Sequence, residues 1–118
     1  MPTTISLFRN ATDAVHFAAG QFVFKAGEPG NLMYVVIEGE VEIVVNDKVV
    51  DATGPGGIVG EMALIESAPR MADVRAKTDC KLAPLNQKQF LYMVREAPDF
   101  AITVMRIISE RLRNARQG

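Results

Sequence analysis

From Ala14 to Leu85 the chain breaks into short apolar segments punctuated by turn residues, the pattern of several antiparallel strands. Val41, Ile43 and Val45 alternate with Glu42 and Val44, and Asn46-Asp47 follows at once. This predicts a hairpin that returns through Lys48-Val49-Val50, with one face buried and the other wet. Val74 and Ala76 alternate in the same way with Asp73, Arg75 and Lys77. Glycines fall where strands must turn: Gly20, Ala26-Gly27-Glu28-Pro29-Gly30, Gly39 and Gly54-Pro55-Gly56-Gly57. Short strands with tight corners predict a jelly roll. After Asn86 the period lengthens, and helices are predicted over about 87–96 and 98–116, with Pro98 at a helix start. The expected fold is therefore mainly β with α: an antiparallel jelly-roll β-barrel over about 14–85, a short helix within it, and two C-terminal helices.

The second of these helices carries Phe100, Ile102, Val104, Met105, Ile107, Ile108 and Leu112, more apolar surface than one stripe against a small barrel uses. Either a partner covers part of it, as a homodimer or an effector protein, or the helix lies deep in its own domain.

Composition narrows the function classes. At 118 residues, with 48% hydrophobic and 23% charged, the chain suits one globular domain over 1–118 that buries a core without a metal or disulfides. Thirteen basic against fourteen acidic residues leave a net charge of -1, which supplies no general attraction for DNA or RNA. Apolar runs such as Met33 to Ile37 are far below the roughly 20 residues of a membrane span, and no signal sequence is read at the start of the chain. Cys80, the only cysteine, forms no intramolecular disulfide and is read as core filling in a cytoplasmic protein. With only His16, a histidine-rich metal site of the kind found in barrel enzymes cannot be assembled. No catalytic residue is assigned, and His16 is read as a packed or surface residue of the first strand.

The chemistry concentrates in one segment. Ile58-Val59-Gly60-Glu61-Met62-Ala63-Leu64-Ile65 ends a strand and opens a short helical turn, behind glycines that permit close backbone approach. Nine residues after Glu61 stands Arg70, able to give a phosphate two parallel charge-assisted hydrogen bonds. Glu61 would repel a phosphate but can accept a hydrogen bond from a sugar hydroxyl beside one. Phosphate plus sugar implies a nucleotide. The same spacing also suits a surface salt bridge worth roughly 0–1 kcal/mol.

The chain resembles the cyclic-nucleotide-binding domain family, which includes bacterial catabolite activators, protein kinase A regulatory subunits and cyclic-nucleotide-gated channels. The resemblance spans about residues 14–113. It rests on Ala26-Gly27-Glu28-Pro29-Gly30, on Met33 to Val41, on Gly54-Pro55-Gly56, and above all on Gly60-Glu61-Met62-Ala63-Leu64 with Pro69-Arg70-Met71-Ala72. In that family the last segment is a phosphate-binding cassette. The resemblance implies that Glu61 accepts the ribose 2'-hydroxyl and that Arg70 binds the cyclic phosphate. Backbone N–H groups near Met62, Ala63, Met71 and Ala72 would complete the cradle around Gly60.

Two positions depart from the family pattern. Val59 replaces a frequent phenylalanine, and Met71 stands where alanine, serine or threonine is usual. A long side chain at Met71 would crowd the ligand unless it turns away. The missing hydroxyl there favours cAMP over cGMP as ligand, because the resemblance associates that hydroxyl with guanine contact. Arg111, Arg113 and Arg116 could form a lid on the purine, or simply suit a helix C-terminus in water.

Three readings compete with the nucleotide sensor. A metal-dependent enzyme lacks its histidines. A DNA-reading factor would need a recognition helix after the long helix, and the chain ends at Gly118 without a basic excess. A protein-interaction module of the same fold, its cassette lapsed, rests on Met71. The expectation is a stand-alone regulatory module with no cofactor and no catalytic function, whose ligand draws the cassette and the last helix together.

Overall fold

The computed structural model describes Phe8 and residues 11–117, with side chains to Asn114. Within them eight antiparallel strands form two four-stranded sheets: β1 (Val15–Phe17), β2 (Phe22–Phe24), β3 (Met33–Glu38), β4 (Val41–Val45), β5 (Lys48–Thr53), β6 (Ile58–Val59), β7 (Asp73–Ala76) and β8 (Cys80–Leu85). The sheet orders are β1-β8-β3-β6 and β2-β7-β4-β5, so consecutive strands alternate between sheets, except at the β4–β5 hairpin, in the manner of a jelly roll. A short helix, α1 (Glu61–Glu66), interrupts the barrel between β6 and β7; α2 (Gln87–Glu96) and α3 (Pro98–Gln117) follow it. Among the described residues no helix is long and apolar enough to cross a membrane.

The run Met33 to Ile37 is apolar throughout because both faces of β3 are covered. Met33, Val35 and Ile37 pack with Phe8, Phe100 and Val104 in one buried cluster. Val36 joins Phe24, Val41, Val59, Val74 and Leu82 in the other. Cys80 sits in that second cluster, buried as its composition suggests. His16, paired with Lys81 in β1, is exposed.

The β4–β5 hairpin turns on Asn46 and Asp47, both with positive φ (51° and 64°), the requirement of a type I' turn. The alternation read for β4 holds at Val41 and Ile43 but breaks beyond them. The pairing passes from Ile43↔Asp51 to Val44↔Val49, skipping Val50, and Val44 is buried while Val45 is exposed. A bulge adds one residue to β5, and period two does not survive it.

Asn86 starts α2 with a capping box, its side chain accepting from the Gln89 amide while the Gln89 side chain accepts from the Asn86 amide, both at 2.8 Å. In α3, Phe100 and Val104 are fully buried, whereas Ile102, Met105 and Leu112 are exposed, so the breadth of its apolar surface exceeds what the barrel covers.

Candidate functional site

Gly60 lies between β6 and α1 with φ +80°, a left-handed conformation that turns the chain sharply and leaves α1 without a side-chain cap. A Cβ there would stand 2.6 Å from the Arg70 Nη1 and 3.2 Å from both the Leu32 oxygen and the Phe24 ring. One at Gly30 would be 3.1 Å from the Arg70 Nε and also collide with Ala63. Two of the sequence's glycine positions thus make the passage through which the Arg70 side chain runs.

The Arg70 backbone is fastened to the loop before β3: its amide donates to Glu28 and its carbonyl accepts from Gly27, both at 2.9 Å. The side chain then turns inward and is 7% exposed. Nη1 donates to the Gly60 carbonyl at 3.2 Å and Nη2 to the Leu32 carbonyl at 2.7 Å. The guanidinium stands 3.9 Å over the ring of Phe24. Among the described residues no carboxylate pairs with it, and its Nε has no hydrogen-bond partner. Burial accordingly pushes the Arg70 pKa below its usual value, against the opposing pull of Tyr34, Glu28 and Glu61. A buried cation with a spare donor and no carboxylate partner among the described residues has the chemistry that an anion would satisfy.

Glu61, 2% exposed, begins α1 and is differently placed. Its carboxylate accepts from Arg111 Nη1 at 2.5 Å. The same guanidinium donates through Nη2 to the Ile58 carbonyl at 2.6 Å, and its Nε lies 3.5 Å from Asp51 Oδ2.

A cavity of about 160 Å3 collects the residues read from the sequence: Gly60, Glu61, Met62, Ala63, Arg70, Met71 and Ala72 all line it. Phe24 and Arg111 complete its wall beside core valines. A larger depression, about 400 Å3, is lined by Gly30, Ala63 and their neighbours and has no charged side chain in its wall, whereas Glu61, Arg70 and Arg111 line the smaller cavity. Met71 is 79% exposed. Of the three arginines considered as a lid, Arg111 reaches the cavity as an ion-pair partner of Glu61. Arg113 is exposed and donates to Ser109 of its own helix at 3.3 Å. The side chain of Arg116 lies outside the described residues.

Sequence reasoning missed Phe24, Asp51 and the carbonyls of Leu32 and Ile58. Carbonyl roles leave no trace in residue type. Phe24 had a weak signal, an aromatic in a short strand bounded by turn residues.

Residues 14–97 match a family model described as "Cyclic nucleotide-binding domain". The chain is 37% identical over 83 residues to a cAMP-dependent protein kinase regulatory subunit of Emericella nidulans, covering 69% of this chain and 20% of that one. It is 37% identical over 93 residues to a cyclic nucleotide-gated potassium channel of Mesorhizobium japonicum, covering 79% and 26% respectively. The chain thus spans between a fifth and about a quarter of the length of these relatives. Among solved structures, the c-di-GMP responsive global regulator CLP of Xanthomonas campestris superposes with a TM-score of 0.82 at 29% identity, over 97% of this chain and 60% of that one.

Proposed function

The chain belongs to the cyclic nucleotide-binding domain family, and from that premise we propose that it is a stand-alone cytoplasmic regulatory module that binds a cyclic nucleotide and signals by movement of its C-terminal helix. One observation carries the reading: Arg70, buried with no carboxylate partner among the described residues and with a free Nε, lies in the same small cavity as Glu61. An anion with an attached sugar satisfies both.

In this reading Arg70 takes the cyclic phosphate, whose single charge one guanidinium and a few amides of Met62, Ala63, Met71 and Ala72 can balance. Glu61 accepts from the ribose 2'-hydroxyl. The absence of a hydroxyl at Met71 favours cAMP over cGMP. The output is a change at the exposed Ile102, Met105 and Leu112 of α3, read by a second copy or an effector protein.

Calorimetric titration of refolded, nucleotide-free protein with cAMP, cGMP and c-di-GMP tests this, with Arg70→Ala as control. Saturable 1:1 binding of cAMP, reduced about 10- to 100-fold in the variant, is expected. A second reading, the same fold acting as a protein-interaction module, draws on the engagement of Glu61 by Arg111. Silence of well-folded protein toward all three nucleotides would favour it.

A further inference from the structure

Asp73, the first residue of β7, is half-buried, and its Oδ1 accepts from the Ala26 amide at 2.7 Å across 47 residues of sequence. Ala26 belongs to the loop that leaves β2. The next two residues of that loop, Gly27 and Glu28, hold the Arg70 backbone, its carbonyl and its amide respectively, each at 2.9 Å. The loop is itself closed as a turn: the Glu28 amide donates to the Lys25 carbonyl at 3.2 Å, and the Lys25 amide to Glu28 Oε1 at 2.9 Å. Arg70 and Asp73 are therefore pinned at successive positions of one closed loop.

The two pins bracket the cradle. Met71 and Ala72 stand between them and line the cavity with Arg70, and Val74 lines it just beyond, but Asp73 does not. A guanidinium sits at the far end of a long side chain, so a small turn of the Arg70 backbone moves its free Nε out of line with a ligand. Binding groups keep their geometry to within about 0.5 Å only when supporting hydrogen bonds fix the backbone that carries them. A carboxylate repels a phosphate, so any benefit of Asp73 to a bound anion passes through the backbone it holds.

We propose that Asp73 is a positioning residue of the anion site: with the Gly27 and Glu28 bonds it fixes the segment from Arg70 to Ala72, and so aims Arg70 Nε and the cradle amides at the ligand. The inference rests on the nucleotide reading. Asp79 supplies a matched comparison, since its Oδ1 accepts from the Ala19 amide at 2.9 Å and neither of these residues lines the cavity.

The test titrates the full chain with cAMP by calorimetry, as wild type, Asp73→Ala, Asp73→Asn and Asp79→Ala. Urea unfolding of each protein and amide hydrogen exchange at Gly27 and Arg70 without nucleotide accompany it. Asp73→Ala should bind about 5- to 30-fold more weakly and exchange faster at both amides. Asp73→Asn keeps an acceptor oxygen and should recover most of the affinity. Asp79→Ala should lose stability comparably yet bind within about twofold of wild type. If Asp73→Ala does not fold, Asp73→Glu, which keeps the charge and displaces the acceptor by one methylene, decides in its place. Unchanged affinity at Asp73, a loss that Asp73→Asn shares in full, or an equal loss in Asp79→Ala overturns the positioning role and leaves the nucleotide reading standing. No binding by the wild type overturns the reading and the positioning role with it.

Discussion

The guanidinium of Arg70 lies 3.9 Å over the ring of Phe24, which is itself stacked against Tyr34 at 6.5 Å. The ring faces the cation where water does not reach and fixes the plane in which its donors point. A desolvated cation–π contact is worth about 2 kcal/mol. Phe24→Leu keeps apolar bulk and removes the π face. Nucleotide affinity should fall about 3- to 30-fold, with about 1–2 kcal/mol lost in urea unfolding. Unchanged affinity in a folded variant would mean the ring does not orient Arg70.

Arg70 itself should be nearly neutral for stability. Its two carbonyl hydrogen bonds and the Phe24 contact favour the folded state, while desolvation of an unpaired cation opposes it, as the lowered pKa records. Arg70→Met removes both sides of that balance. The urea midpoint is expected to imply a change within about 1 kcal/mol while nucleotide binding collapses, the stability–function trade-off of a working site. A loss above about 3 kcal/mol would assign Arg70 a structural role instead.

The direction of that shift also fixes a pH dependence. Because burial lowers the folded pKa of Arg70, the unfolded state holds the proton more tightly. Stability therefore rises with pH only where Arg70 begins to release its proton, far into the alkaline range. Between about pH 6 and 9 the arginine is charged in both states and contributes no slope. Nucleotide affinity measured at about pH 6, 7.5 and 9 should be flat to within about twofold. A tenfold trend would point to a titrating group other than Arg70 in the site.

Gly60 and Gly39 separate strain at the site from strain elsewhere. Both have positive φ, +80° and +84°. A Cβ at Gly60 pushes on the Arg70 guanidinium, the Phe24 ring and Leu32, whereas one at Gly39 collides with the backbone of Asp79 and Cys80 at a turn. Each alanine should cost about 1–3 kcal/mol or more in thermal or urea unfolding. Gly60→Ala alone should also weaken nucleotide binding in molecules that remain folded. Equal affinity loss in both would mean the effect is global.

The barrel was legible because its signals are local: turn residues, alternation at Val74 and Ala76, and the longer period after Asn86 each report on a few neighbouring residues. The bulge opposite Val50 was not, since one inserted residue is a property of the pairing and not of either strand. At the site, residues adjacent in the chain were readable from residue type, and Gly60 to Ala63 do share one cavity with Arg70 to Ala72. The contacts of Phe24, Asp51 and Arg111 depend on how β2, β5 and α3 meet around it, across separations of 46 residues for Phe24 and Arg70, 50 for Arg111 and Glu61, and 60 for Arg111 and Asp51 that no local pattern encodes. Arg111 was singled out for its charge on the last helix, and only the fold shows that this charge meets Glu61.

Met71 offers the finest test of ligand choice. The concern raised by the sequence was bulk, yet the side chain is 79% exposed and its neighbours in the cavity, Arg70 and Ala72, are held independently of it. Truncation to Met71→Ala should therefore leave cAMP affinity within about twofold, since a side chain already in water gives up little burial. What the position lacks is a donor. Met71→Thr places a hydroxyl at the mouth of the phosphate cradle, where it can reach a carbonyl or ring nitrogen of a guanine, and one net hydrogen bond is worth about 0.5–1.5 kcal/mol. The ratio of cGMP to cAMP affinity should rise about 2- to 12-fold in parallel calorimetric titrations. A gain for both nucleotides alike would show that methionine obstructs the site after all, and a ratio unmoved by threonine would remove this position from the account of ligand choice.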